Sequence, residues 1–160
     1  MEYKIQPLVG FDKVKFGQTR EQVLEILGVP DEIEEDQNFG DSPEEKTTVF
    51  YYDEMEMSLS FEKEEGYRLM EISFDGADFN IGGKIKPGMS LDKVLQLASM
   101  LGLGEGYNED VSDLVDADSD VKVWSFDDVN VDFYFENDIL MTIQIGPEFS
   151  EDGNSIIWPK

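Results

Sequence analysis

A chain of 160 residues, 40% hydrophobic and 12% aromatic, is long and apolar enough to bury one core, which excludes intrinsic disorder even at a formal net charge of -25. With 37 acidic against 12 basic residues, its surface repels nucleic acid and anionic membrane and draws in a basic protein. The absence of cysteine and histidine removes disulfides, zinc-thiolate sites, thiolate nucleophiles, the commonest general base and the commonest metal ligand.

The first residues, Met1-Glu2-Tyr3-Lys4-Ile5-Gln6-Pro7, hold no apolar stretch of signal-peptide length, and no later segment approaches membrane-spanning length, so a cytoplasmic location is expected. Gly17 supplies a turn before Thr19, whose hydroxyl caps a helix from Arg20 to Leu27 and forms a capping box with Gln22. Val23, Leu24 and Leu27 recur at helical spacing, and Gly28 followed by Pro30 stops the helix. The acidic run 31–36 reads as a solvated loop. Three strand-like runs follow: Thr48 to Tyr52, Met55 to Phe61 and Leu69 to Phe74, the first two joined by the short turn Asp53-Glu54. Met55, Met57, Leu59 and Phe61 alternate with polar residues, as do Met70, Ile72 and Phe74, so each run offers one face to a core.

Past Asp75-Gly76 and a glycine pair at Gly82-Gly83, the same order returns. Gly88 and Ser90 open a helix from Leu91 to Leu101, with Val94, Leu95, Ala98 and Leu101 on its apolar face and Gly102 after its end. An acidic loop from Leu103 to Asp120 leads to the runs Val121 to Phe126, Val129 to Phe135 and Ile139 to Ile145, with turns at Asp127-Asp128 and Glu136-Asn137-Asp138. Val129, Val131, Phe133 and Phe135 alternate with polar residues, and Ile139, Met141, Ile143 and Ile145 are expected on the core side. The stretch Ser150 to Gly153 is polar, and Ser155 to Trp158 can add an edge strand. The expected fold class is α+β. Residues 1–160 form one domain of two pseudo-repeats, about 11–76 and 82–146, with a C-terminal segment 147–160. Each repeat is a helix followed by a three-stranded antiparallel meander, the sheets joined edge to edge and the helices on one face.

This doubled sentence of turn glycine, Thr19 or Ser90 cap, apolar helix, glycine stop and three strands resembles the β-lactamase inhibitor protein architecture and the related SmpA/OmlA outer-membrane lipoprotein fold. The phrase from Lys15-Phe16-Gly17-Gln18-Thr19 through Leu27-Gly28-Val29-Pro30 also resembles small acidic bacterial proteins of the immunity type, which neutralise partner toxins. The resemblance implies a sheet face that binds another protein. The inhibitor and the lipoproteins carry cysteines and export signals that are not found here, so their partners do not transfer.

Offset from Val121, Val123, Val129 and Val131 stand Trp124, Phe126, Asp132 and Tyr134, and the first half supplies Phe50, Tyr52, Glu56 and Glu71. Read as one face, these eight residues form an aromatic surface ringed by carboxylates, the composition of a protein-binding hot spot. The competing reading covers the rings with loops or the Trp158 segment as a second small core. Asp116-Ala117-Asp118-Ser119-Asp120 begins like a calcium loop, but Val121 replaces the required glycine, so a solvated loop is expected and no metal. Gly102-Leu103-Gly104-Glu105-Gly106 follows a helix and carries an acid where phosphate would sit, so no cofactor is expected. No serine stands in a nucleophile-elbow context and no spacing singles out a carboxylate pair, so the chain is expected not to be an enzyme. The expected function is a cytoplasmic immunity or inhibitor protein occluding a basic partner such as a toxin or nuclease. The alternatives are an SmpA/OmlA-like assembly factor and a nucleic-acid mimic.

Overall fold

The computed structural model describes residues 2–38, 46–109 and 120–159, without the side chains of 36–38. In chain order the first half contains β1 (Tyr3–Gln6), β2 (Gly10–Phe11), β3 (Val14–Lys15), α1 (Arg20–Leu27), β4 (Glu32–Asn38), β5 (Lys46–Tyr52), β6 (Met57–Glu62), β7 (Arg68–Phe74) and β8 (Phe79–Ile81). The second half contains α2 (Leu91–Met100), β9 (Tyr107–Glu109), β10 (Val121–Phe126), β11 (Val131–Glu136), β12 (Ile139–Ile145), β13 (Glu148–Phe149) and β14 (Ile156–Ile157). A single 3-10 turn, Lys63–Glu65, joins β6 to β7.

Eight of the strands form one sheet in the order β4-β5-β6-β7-β12-β11-β10-β9, and all its neighbours pair antiparallel. Its central seam is the pairing of β7 with β12, Phe74 opposite Ile143, Ser73 opposite Gln144 and Ile72 opposite Ile145. A smaller sheet, β3-β2-β1-β8, and both helices pack on one face of the large sheet, sharing a continuous core with it. Phe11 and Phe79 of the small sheet meet Phe74 at ring distances of 5.6 and 4.5 Å, so the two sheets lock at the seam.

The helix ends behave as their sequences dictate. Thr19 accepts from the Gln22 backbone while the Gln22 side chain accepts from Thr19, and Ser90 caps Lys93. Each capping turn is also tied to a strand: Gly17 N–H donates to Leu69 C=O and Leu69 N–H to Gln18 C=O, while Gly88 N–H donates to Leu140 C=O and Leu140 N–H to Met89 C=O. Immediately beyond these ties the strand registers step over one residue, Met70 in β7 and Met141 in β12, a bulge in each case.

The expected α+β fold of two helix-plus-three-strand repeats is overturned: the protein is mostly β, built on one eight-stranded sheet with two short helices. Four strands of that sheet, not three, follow each helix, because β4 and β9 pair at its two edges. Those two are acidic and lack apolar alternation, and the strands of the small sheet are two to four residues long. Periodicity therefore carries no signal for any of them. The expected edge strand near Trp158 is instead half of a separate hairpin, β13-β14. The bulges correct a further expectation, since Ile139 and Met141 are exposed and Leu140 is in the core. Among the described residues, no helix is long and apolar enough to cross a membrane.

Candidate functional site

The eight residues expected to share one face do not: four lie on the core face, three on the outer face and one in a turn. Phe50 pairs across strands with Leu59 and Tyr52 with Met57, and cross-strand partners lie on the same side of a sheet, so both belong to the core face. Trp124 opposite Phe133 and Phe126 opposite Val131 are placed there by the same rule. Phe50 packs on Phe61 at 4.7 Å and Phe126 edge-on to Phe133 at 5.6 Å. The Tyr52 hydroxyl donates to the carbonyl of Gly28 at the end of α1, and burial pushes its pKa up to about 12. The Trp124 indole N–H is buried without a hydrogen-bond partner. Glu56 is exposed in the β5-β6 turn with φ 55. Glu71, Asp132 and Tyr134 remain together on the opposite, outer face. Asp116 to Ser119 of the calcium-like run lie outside the described residues.

The outer face is mostly polar, with Val49 opposite Ser60 and Val123 opposite Tyr134 as buried apolar exceptions. One continuous register crosses it: Tyr51 faces Ser58, Ser58 faces Ser73, Ser73 faces Gln144, Gln144 faces Asp132, and Asp132 faces Ser125. Glu32 and Tyr107 end this row on the edge strands. Glu71 stands two residues from Ser73, faces Ser60, and is hydrogen-bonded by the side chain of Gln144. Tyr51 donates its hydroxyl to Glu34 at 3.1 Å.

Charge on this face is crowded and half buried. Burial raises the pKa of Glu71; the Gln144 hydrogen bond opposes it, and Glu62 and Asp132 raise it further. Asp132 is also raised, first by burial, then by Glu109 and Asp127, with Ser125 pulling the other way. Tyr134 is pushed up to about 12 by burial and then by Asp132, Glu71 and Glu109. Ser125 Oγ lies near enough to Asp132 to favour its ionised form, yet at no hydrogen-bonding geometry, so this hydroxyl is buried and unpartnered.

Two grooves run along β6 on this face. One of about 320 Å³ is lined by Thr47, Tyr51, Ser58, Ser60, Glu62 and Glu71, with Val49. The other, about 260 Å³, is lined by Tyr51, Asp53, Glu56, Ser58 and Asp75, with Tyr52 and Met57. Neither lining contains lysine or arginine, so their polar groups are oxygens: carboxylates and hydroxyls. Such a surface accepts hydrogen bonds from cationic donors. Among the described residues, no three acidic side chains are grouped to hold a metal ion.

Sequence reasoning missed Tyr51, Ser125 and Gln144 and misplaced four of the five rings, Phe50, Tyr52, Trp124 and Phe126. The missing signal was in the hairpin itself. Once Met57, Leu59 and Phe61 are assigned inward, the residues across the turn at Tyr52, Phe50 and Thr48 must follow them, leaving Tyr51, Val49 and Thr47 outward.

No protein-family model matches the chain, and no curated protein matches it in sequence. Among solved structures, an extracellular protein containing a SCP domain from Bacillus anthracis str. Ames is similar with a TM-score of 0.48 and 12% sequence identity. The likeness covers 82% of this chain and 44% of that one, so the chain spans less than half the length of the protein it matches.

Proposed function

We propose that the chain is a cytoplasmic protein-binding module of the immunity or inhibitor kind, which captures a basic partner on the outer face of its eight-stranded sheet and performs no chemistry of its own. The observation that carries this reading is the state of Glu71 and Asp132: both are packed into the sheet face, and the charges acting on them are other carboxylates. A basic partner supplies the missing countercharge, and the relief of that crowding favours association. Tyr134 and Tyr51 offer large contact area with few rotors, while the net charge of -25 speeds encounter. A chain without cysteine needs no oxidising compartment, which supports the cytoplasmic location.

The test is capture from native extract by the wild type and by the double variant Asp132→Asn, Tyr134→Ala, with thermal melts to show that both fold. Loss of the captured basic protein supports the reading. Capture that is unchanged in a folded variant sinks it. Capture that survives loss of the ring but collapses steeply with salt points instead to mimicry of nucleic acid.

A further inference from the structure

The two grooves share Tyr51 and Ser58, so they form one trough along β6 with carboxylates at each end. Its ends are marked by Glu71 on β7, in one groove, and by Asp75, the residue just past β7, in the other. Glu71 faces Ser60, and Asp75 accepts from the Thr142 hydroxyl of the neighbouring strand, so both are on the outer side. They are four residues apart, about 13 Å at the rise of a strand. Between them lies the neutral waist of Tyr51, Ser58 and Ser73.

From this geometry, and resting on the protein-binding reading above, we infer that the trough docks an extended segment of the partner carrying arginine or lysine at two positions four residues apart. An extended chain returns to the same face every second residue, about 6.6 Å, so positions i and i+4 fall over Glu71 and Asp75 while i+2 covers the waist. A helical segment advances only about 6 Å over the same four residues and cannot reach both ends. Charge complementarity selects the occupant, because the lining offers acceptors and no cation. Level with the waist, Ser73, Gln144, Asp132 and the buried, unpartnered Ser125 continue the polar surface sideways across the neighbouring strands.

The probes are two short synthetic peptides of identical composition, one with arginines four residues apart and one with them adjacent, titrated into the full chain at low ionic strength. The spaced peptide is expected to bind about tenfold more tightly. Glu71→Gln and Asp75→Asn, each preserving shape and an acceptor oxygen, are each expected to cost the spaced peptide about tenfold and to leave the adjacent one nearly unchanged. Glu148→Gln, on the separate hairpin, controls for net charge. Equal binding of the two peptides, no binding of either, or the same loss in all three variants overturns the inference. If the peptides fail this way while Asp132→Asn, Tyr134→Ala still abolishes partner capture, the trough is excluded and the outer face stands; if capture is also unaffected, both fall.

Discussion

Glu71 is surrounded by influences that oppose its charge, and the direction of its shift fixes how stability must depend on pH. Its folded pKa is raised by burial and by Glu62 and Asp132, beyond what Gln144 restores. The folded chain therefore holds this proton more tightly than the unfolded chain. The resulting stability is fully present below the ordinary glutamate value of 4.5 and is lost as pH rises through the raised folded value. Glu71→Gln keeps the neutral form at every pH. It is expected to melt higher than wild type at neutral pH, with the two curves converging below the glutamate range; melts across a pH series check this. Asp132, shifted in the same direction, retains part of the slope in the variant. Raised stability with weakened binding in one substitution is what a face strained for a partner requires. Glu71, Asp132 and Tyr134 were legible as surface residues because each alternates with a strongly apolar neighbour. Phe50 and Trp124 were misread because an aromatic ring suits either face, and only the cross-strand partner decides.

Tyr52 shows how an element can depend on one such buried ring. Its hydroxyl closes the free carbonyl of Gly28, tying β5 to the end of a helix that buries only Val23 fully. With a pKa near 12 it stays protonated, and so donates, throughout the neutral range. Tyr52→Phe keeps the ring and removes the bond, leaving a carbonyl unpaired; a loss of about 1 kcal/mol is expected. Thermal melts register that loss as roughly 2 to 4 °C for a chain of this size, and amide exchange should rise first in the last turn of α1. A capping change at the other end, Thr19→Ala, is expected to cost about 1 kcal/mol as well. The helices were readable from sequence because caps and stops are local chemistry. The β11-β12 hairpin was readable too, but its turn is shorter than the three residues expected: Glu136 pairs with Ile139, and only Asn137 and Asp138 take the consecutive left-handed conformations of a two-residue hairpin. β4 and β9 were not readable, because an edge strand rich in acids is held by backbone pairing and shows no buried side. The bulges at Met70 and Met141 were also hidden. They arise where each strand turns from its sheet neighbour toward a helix-capping turn, a long-range demand with no trace in the local pattern.

At the scale of the whole molecule, one quantity acts on folding and on binding with opposite signs. A net charge of -25 on 160 residues makes the compact state repel itself, and the unfolded chain relieves that repulsion by expanding. The ion pairs Lys86–Glu2 at 3.1 Å and Lys122–Asp138 at 2.8 Å are both solvent-exposed, so screening them forfeits little. Salt that shortens the Debye length to about 8 Å weakens the repulsion across the sheet and is expected to stabilise the fold. The same salt screens the attraction that brings a cationic partner to the outer face, so association should slow while dissociation of the docked contact changes less. A salt series read by thermal melting and by the association rate of the spaced-arginine peptide should therefore give two slopes of opposite sign. Parallel slopes would mean that the acidity serves neither encounter nor a strained face, and would leave solubility as its reason.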